Sequence, residues 1–153
     1  MADLRLAIPP DVPELQQIAV EAYRRYVPLI GHEPAPVGAD YTGLVDSERV
    51  RVLVEDAGIL GLIVLIPGPD HLLVENVAVR PTAQGRGVGG LLMDLAEAEA
   101  IRLGLDVVTL YTNEIMVENL AWYERRGYVE IYRGEQDTFR RVYLSKRVTV
   151  RDG

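Results

Sequence analysis

The sequence predicts an α/β fold of the α+β type, in which a mixed, mostly antiparallel central sheet of about seven strands is flanked by about four helices. Most β-rich runs are separated only by short turns, which favours antiparallel neighbours. Segments with the spacing of apolar residues typical of a helix interrupt these runs. The order of elements is βααβββαβαββ. Because the sequence shows no internal repeat or long linker, we expect one domain that spans residues 1–153.

The N-terminal part of the chain predicts one strand and two helices. Alternating apolar residues from Leu4 to Ile8 indicate a short strand. Asp11 marks the start of a helix that should run to about Tyr26. Three prolines and two glycines between residues 27 and 40 predict a loop, followed by a short helix at 41–45. We expect this loop to cover a pocket.

The rest of the chain alternates between strands and helices. Runs rich in β-branched residues and bounded by turns predict a hairpin, two further strands and a final hairpin. Two segments with helical spacing each end at a glycine. The expected strands are 50–55, 58–66, 72–79, 106–112, 128–133 and 138–147, and the expected helices are 88–103 and 117–126. On the first of these helices, we expect Asp94, Glu97 and Glu99 to form a solvated polar face.

The composition argues against several classes of protein. The chain has no cysteine and only two histidines, so we expect no disulfide framework, no cysteine nucleophile and no metal site. Its formal net charge of −7 argues against nucleic acid as a partner. The N-terminus lacks the pattern of a signal peptide, and the longest apolar run, 58–67, is shorter than the roughly 20 residues of a membrane helix. We therefore expect a cytoplasmic protein that binds neither nucleic acid nor a membrane.

A glycine-rich turn joins the strand at 72–79 to the long helix that follows. Residues 84–90 read Gln-Gly-Arg-Gly-Val-Gly-Gly. Glycines let the backbone approach an anion closely, and the start of a helix adds positive potential. A mere flexible connection would carry this many glycines at an entropic cost without a gain. The turn is therefore expected to bind a phosphate or a diphosphate.

Gly85, Gly87 and Gly90 also fit the G-x-G-x-x-G pattern of dinucleotide-binding enzymes. In that fold the first glycine follows the strand almost directly, whereas here residues 80–84 intervene. An acidic residue should also end the next strand, but Asp106 begins it. The preceding antiparallel strands do not provide the parallel β-α-β unit that such a site needs. A dinucleotide-binding enzyme is therefore the less favoured alternative.

Two motifs in combination indicate a family. The first is Gln84-Gly85-Arg86-Gly87-Val88-Gly89, which follows the run Val77-Ala78-Val79-Arg80-Pro81. The second, Asn119-Leu120-Ala121-Trp122-Tyr123-Glu124-Arg125-Arg126-Gly127-Tyr128, lies on the last predicted helix and just beyond it. Together they resemble the GNAT superfamily of N-acetyltransferases, whose acetyl-CoA signature reads Gln/Arg-x-x-Gly-x-Gly/Ala. The order of elements is also that of the superfamily, so the resemblance covers nearly the whole chain, and residues 24–48 are the least constrained by it.

The resemblance implies that acetyl-CoA is the cosubstrate. The strands that end at Val79 and near Thr112 would splay apart, and pantetheine would bind the backbone of Val77 and Val79 between them. Amides of the glycine turn would bind the diphosphate, with Arg86 as the nearest cation. The implied cosubstrate-binding residues are Val77, Ala78, Val79, Gln84, Gly85, Arg86, Gly87, Val88, Gly89, Gly90 and Asn119.

Acetyl transfer to an amine needs a base and a proton for the leaving thiolate. Glu75 resembles the acidic residue that several superfamily members use as general base on this strand, and an ion pair with a neighbouring strand's cation is the alternative role. Tyr123 is expected to protonate the departing sulfur; its phenol has a pKa near about 10, above that of a thiol near about 8.5, and a hydrogen bond suffices. A core aromatic between Trp122 and Tyr128 is its alternative role. A backbone N–H near Val77 would meet the oxyanion.

The acceptor is expected to be a primary amine of a small molecule or peptide. Aromatic and acidic side chains suit an amine, and the topology places four candidates beside it: Tyr26, Glu33, Tyr41 and Asn113. A non-catalytic acyl-CoA-sensing domain is a further alternative, because it needs the glycine turn but neither Tyr123 nor Glu75. Apolar alternation near the C-terminus is compatible with a homodimer without requiring one.

Overall fold

The computed structural model describes residues 2–30, 35–56, 58–136 and 139–149. Within these ranges, seven strands and four helices of at least six residues confirm the predicted α/β fold. The strands are β1 Ala2–Leu6, β2 Val50–Glu55, β3 Gly58–Pro67, β4 Leu72–Val79, β5 Val107–Asn113, β6 Val129–Gln136 and β7 Phe139–Arg147. The helices are α1 Val12–Tyr23, α2 Tyr41–Asp46, α3 Val88–Arg102 and α4 Val117–Arg125. The strand order is β1-β2-β3-β4-β5-β7-β6, in a mostly antiparallel sheet. Among the helices of the described ranges, none has the length and apolar character needed to cross a membrane.

The chain after α1 differs from the prediction. Helix α1 ends at Tyr23, and a 3₁₀ turn, Arg24–Tyr26, leads into a single α-helical turn, Val27–Ile30, where a loop was expected. Pro28 is the second residue of that helical turn, a position at which proline costs no helical hydrogen bond. A second 3₁₀ turn, Ala35–Gly38, precedes α2. The prolines of this segment therefore allow short helical turns instead of only interrupting a helix.

The chain divides into two compact units, the first of which comprises the residues up to Leu65 together with Asn76–Leu95. Its strands β1, β2 and β3 pair antiparallel, and the pairing of β2 with β3 confirms the first predicted hairpin. The apolar side chains of helix α1 that follow helical spacing are buried, as are the inward-facing ones of β2 and β3. Among the fully buried residues of this unit are Leu15, Ile18, Val50, Val52, Leu62 and Ile63.

The second unit comprises Ile66–Glu75 together with the residues from Ala96 onward. Strand β5 pairs antiparallel with β7, and β6 with β7 forms the final predicted hairpin. Strands β4 and β5 run parallel, but their ladder covers only Leu72–Val74 and Val108–Leu110. Both strands continue beyond this ladder. Alternate residues of β5 and β7 are buried in the core of the unit, among them Val108, Leu110, Val142 and Leu144.

Candidate functional site

The glycine-rich turn has a backbone conformation that depends on glycine. After strand β4, a 3₁₀ turn, Pro81–Ala83, leads to the first residue of helix α3, Val88. Gly85 and Gly87 have φ values of +82° and +77°, in the left-handed region that other residues rarely adopt. A Cβ atom at either position would meet no atom within 4 Å, so the backbone conformation rather than a lack of space requires glycine. The turn is exposed and open to a ligand.

The N-terminal end of helix α3 presents backbone donors. The amide of Leu91 donates a hydrogen bond to the carbonyl of Gly87 at 3.1 Å, which is the first bond of the helix. The N–H groups of Val88, Gly89 and Gly90 therefore have no acceptor within the helix. The helix dipole adds a partial positive charge at the same end. This end of α3 can thus bind an anion of the size of a diphosphate.

Close packing holds the start of α3 against strand β3. Val88 and Leu92 are buried, and both approach Gly61 of strand β3. A Cβ atom at Gly61 would lie 3.0 Å from Val88 Cγ1 and 3.0 Å from the carbonyl oxygen of Ala78. Only a residue without a side chain leaves room for this approach. The sequence analysis did not identify Gly61, because a single glycine in a strand does not reveal what approaches it.

The two arginines beside the turn have different partners. Arg86 binds both carboxylate oxygens of Glu55, at 2.9 and 2.8 Å, on the surface. This hydrogen bond and the charge of Arg86 lower the pKa of Glu55, so the pair is charged at neutral pH. Arg80 donates to the carboxylate of Glu14 at 2.9 Å and to the carbonyl of Ile59 at 3.0 Å, which ties helix α1 to strand β3. Arg86 is therefore the cation that can turn toward a bound anion, whereas Arg80 is held in the protein.

Strand β4 carries three of the predicted cosubstrate-binding residues. Ala78 is buried, and its neighbours Val77 and Val79 are half-buried. The ladder with β5 ends at Val74, before these residues begin. Backbone groups that a strand leaves unpaired need other partners, and an arm rich in amides can supply them. The backbone of β4 beyond Val74 is therefore suited to bind a ligand such as pantetheine.

Tyr123 and Asn119 lie one turn apart on helix α4, in the second unit. The ring of Tyr123 packs edge-to-face on Trp122 and Tyr128, with centroid distances of 5.1 and 5.9 Å. Among the described residues, none hydrogen-bonds to its hydroxyl. Removal from water raises the pKa of Tyr123 to about 12, against a smaller lowering by Arg126. The phenol therefore stays protonated at neutral pH and can donate a hydrogen bond.

Polar contacts hold the chain where it enters helix α4. The side-chain oxygen of Asn113 accepts a hydrogen bond from the amide of Ile115 at 3.0 Å. The hydroxyl of Thr112 donates to the sulfur of Met116 at 3.3 Å, and the amide of Asn119 lies 3.7 Å from the same sulfur. The structure thus gives Asn113 and Asn119 local roles in shaping this turn, and their predicted contacts with ligands stay predictions.

Glu75 lies close to aromatic and cationic side chains of the second unit. In the part of the chain that the structure describes, no cation pairs with its carboxylate, which does not support the ion-pair alternative. Burial and, to a lesser extent, the charge of Glu75 raise the pKa of Tyr111, whereas Arg141 lowers it. Arg141 stacks over the Tyr111 ring at 4.2 Å, and Tyr143 lies beside that ring at 5.6 Å. The role of Glu75 as the general base stays a prediction.

Three of the residues predicted to contact the acceptor belong to the segment between α1 and the start of α2. Tyr26 and Tyr41 are 8% and 1% exposed, so both rings are packed in the interior. The Tyr26 hydroxyl accepts a hydrogen bond from Arg25 at 2.6 Å, and the Tyr41 hydroxyl donates to the carbonyl of Pro36 at 2.6 Å. Glu33 lies outside the described residues. Burial limits what the two tyrosine rings can offer to an acceptor directly.

The described part of this segment does line a cavity, as the sequence analysis expected. The cavity has a volume of about 260 Å³ and lies within the first unit. Its lining is apolar except for one arginine and consists of Val20, Arg24, Val27, Pro28 and Val37.

The prediction of a solvated acidic face on helix α3 was wrong for Glu97, whereas Asp94 is exposed as expected. The carboxylate of Glu97 accepts hydrogen bonds from Lys146 at 2.7 Å and from the hydroxyl of Tyr128 at 3.3 Å, and Arg126 lies 3.7 Å away. Burial and Glu97 together raise the pKa of Tyr128 strongly. The cluster joins helix α3 to strand β7 and to the residues that follow α4. The sequence did not reveal it, because Lys146 is 49 residues from Glu97.

Comparison with known proteins identifies the family. A family model described as the acetyltransferase (GNAT) domain matches residues 46–130, which include the glycine turn and helix α4. This chain therefore belongs to the GNAT acetyltransferase family. Among curated proteins, none matches the sequence.

Solved structures share the fold over nearly the whole chain. The PaiA N-acetyltransferase from Thermoplasma acidophilum, solved in complex with coenzyme A, has a TM-score of 0.81 and 14% identity over 96% of this chain and 99% of its own. The ribosomal-protein-S18-alanine N-acetyltransferase from Escherichia coli has a TM-score of 0.78 and 16% identity over 99% and 97%. A GNAT-family acetyltransferase from Listeria monocytogenes has a TM-score of 0.75 and 15% identity over 96% and 95%. At these identities the likeness shows the fold alone.

Proposed function

We propose that the chain works as a single-domain N-acetyltransferase, which transfers an acetyl group from acetyl-CoA to a primary amine of a small molecule or peptide by direct attack. Membership of the GNAT acetyltransferase family supports acetyl transfer in general. The observation that carries the proposal is the exposed glycine turn, whose left-handed residues open onto the start of helix α3.

The residues of this turn fit the diphosphate of acetyl-CoA. Gly85 and Gly87 leave open space where side chains would stand, and the first amides of α3 offer hydrogen bonds. Arg86 can exchange the carboxylate of Glu55 for a phosphate, because both partners of that surface pair are accessible. The fold is shared with a solved acetyltransferase that holds coenzyme A. The pantetheine arm would then follow the backbone of β4.

Glu75 is the proposed base. An alkyl ammonium has a pKa near about 10.4, so at neutral pH the acceptor must lose a proton before it can attack. The carboxylate of Glu75 would take that proton directly or through water. The amine nitrogen then bonds to the thioester carbon, an amide near Val77 stabilises the oxyanion, and the carbon–sulfur bond breaks. The nitrogen releases its remaining extra proton as the amide product forms.

Tyr123 is proposed to stabilise the leaving thiolate. With a pKa of about 12, its phenol is a weaker acid than a thiol near about 8.5, so complete proton transfer to sulfur is uphill. A hydrogen bond from the phenol to the sulfur needs no such transfer and lowers the energy of the developing charge. Tyr123 would therefore act as a hydrogen-bond donor to the sulfur, and the thiol proton would come from the amine or from water.

The test is release of free thiol from acetyl-CoA by the purified full chain, with a panel of amino acids, polyamines, aminosugars and peptides with free N-termini. We expect at least one amine to raise thiol release well above hydrolysis and to gain the mass of an acetyl group. If coenzyme A binds but every amine leaves the rate at the level of hydrolysis, the acyl-CoA-sensing alternative replaces this proposal. If NAD binds more tightly than coenzyme A, the dinucleotide alternative does.

A further inference from the structure

Strand β4 places one amide in a row of buried apolar side chains. Alternate residues of the strand are buried, namely Leu72, Val74, Asn76 and Ala78. Asn76 is only 7% exposed. A polar group is costly to bury unless it is hydrogen-bonded, so the partners of Asn76 reveal why an asparagine stands there.

Two tyrosines satisfy this amide. The hydroxyl of Tyr23 donates to the side-chain oxygen of Asn76 at 2.6 Å and lies 3.4 Å from the carbonyl of Val77. The side-chain nitrogen of Asn76 donates to the hydroxyl of Tyr41 at 3.2 Å, and that hydroxyl donates its own proton to the carbonyl of Pro36. We name Tyr23, Asn76 and Tyr41 the Asn76 clasp. Donors and acceptors alternate correctly along the whole chain of contacts.

The clasp joins two helix ends to one point of the strand. Tyr23 is the last residue of α1 and Tyr41 is the first of α2, so the two tyrosines bracket residues 24–40. The described part of this segment lines the apolar cavity of about 260 Å³. Asn76 directly precedes Val77, whose backbone is proposed to meet the thioester. One amide therefore ties both ends of the segment to the strand that presents the acetyl group.

We propose that Asn76 is a positioning residue for the acceptor amine, which sets through Tyr23 and Tyr41 where the described residues 24–30 and 35–40 lie relative to the thioester. This inference rests on the proposed function. Hydrogen bonds fix distance and direction, whereas apolar side chains in the same row would let the helix ends slide. Acetyl transfer depends on such placement, because the amine must approach the thioester carbon within about 3–3.5 Å along one direction.

The experiment measures steady-state kinetics of Tyr23→Phe, Tyr41→Phe and Asn76→Leu with the best amine from the panel. Each Tyr→Phe change removes one hydroxyl and keeps the ring, so these two variants should fold even if Asn76→Leu does not. In each Tyr→Phe variant we expect the KM for the amine to rise about fivefold, which corresponds to the loss of about one hydrogen bond. The KM for acetyl-CoA and the affinity for coenzyme A should stay within twofold of the parent protein.

Two controls separate positioning from stability. Tyr132→Phe removes an exposed hydroxyl from strand β6 and should change neither constant. Val52→Ala opens a cavity on strand β2, which carries no residue of the clasp, so it should lower the Tm while leaving the KM for the amine unchanged.

An unchanged KM for the amine in Tyr23→Phe and Tyr41→Phe, with only the Tm lowered, would overturn the positioning role while leaving the proposed function intact. An equal rise in Val52→Ala would overturn it as well, because a loss of stability alone would then raise the KM for the amine. If the parent protein itself shows no thiol release that depends on an amine, the proposed function fails and this inference fails with it.

Discussion

The glycine turn of the first unit and helix α4 of the second differ in what they offer to a ligand. The turn offers backbone amides, shaped by Gly85 and Gly87 in a left-handed conformation and exposed to solvent. Helix α4 offers a side chain, the phenol of Tyr123, whose acidity is set by the rings and charges packed around it. A backbone site depends on local conformation, whereas a side-chain site depends on its surroundings. Binding should therefore respond to changes in the turn, and the chemical step to changes on the helix.

The largest expected effect is that of Tyr123→Phe. Without a hydrogen bond to the leaving sulfur, kcat should fall by roughly 100-fold, which is at the lower end of what a general acid or base contributes to the rate of an enzyme. The affinity for coenzyme A, measured by calorimetry, should stay within twofold, because the turn is untouched. A kcat within twofold of the parent would leave Tyr123 with only its packing role between Trp122 and Tyr128.

The raised pKa of Tyr123 adds a dependence on pH to the same variant. Folding disfavours the phenolate, so the free energy of unfolding should be steady below about pH 10, the ordinary pKa of tyrosine, and fall as pH rises toward the folded value of about 12. Tyr123→Phe should lessen that fall between about pH 10 and pH 12 in urea unfolding. An identical loss of stability in both proteins would contradict the raised pKa.

A smaller effect is expected from Gly87→Ala. Alanine in a left-handed conformation costs about 1–2 kcal/mol, so binding should weaken by roughly 5- to 30-fold if the exposed turn relaxes when empty. The matched control is Gly104→Ala in the second unit, where φ is +75° and a Cβ atom would also meet nothing within 4 Å. The control should lose stability but keep its affinity for coenzyme A. Equal affinities of Gly87→Ala and Gly104→Ala for coenzyme A would show that the turn does not bind the diphosphate.

The smallest effect is expected at the surface pair of Arg86 and Glu55. Glu55→Gln should release Arg86 and tighten coenzyme A binding by about two- to threefold, and Arg86→Gln should weaken it by a similar factor. Both effects should shrink when the salt concentration is raised, because exposed charges are screened. Calorimetry at two salt concentrations checks this. An unchanged affinity for coenzyme A in both variants would show that Arg86 pairs with Glu55 alone and does not contact the coenzyme.

Local sequence signals predicted most of the fold and the backbone part of the site. The strands at 50–55 and 72–79 match the structure residue for residue, and the hairpins and the helix after Gly87 follow closely. Helix α1 was predicted to run to about Tyr26 but ends at Tyr23. The loop predicted for residues 27–40 contains short helical turns, because prolines indicate that a helix is interrupted but not whether a short turn follows. The left-handed conformation of the turn agrees with its glycines, because left-handed φ values are favoured by glycine itself, and its binding of a diphosphate stays a prediction.

The side-chain environment was beyond the reach of sequence patterns. The sequence predicted only that Asn76 lies in a strand. The fold brings Tyr23 and Tyr41 to it, although they are 53 and 35 residues away in the chain. Glu97 read as a surface acid, and only the fold places Lys146 against it. None of these three partners lies at a sequence separation that the period of a helix or strand could reveal.

The sequence by itself determined where the backbone turns and which segments are strands or helices, because glycine, proline and apolar periodicity act over a few neighbouring residues. Only the tertiary structure decided which carboxylates are paired, how acidic the phenol of Tyr123 is, and which strand residue ties the helix ends. These properties depend on burial and on groups distant in the chain, and no local pattern encodes either.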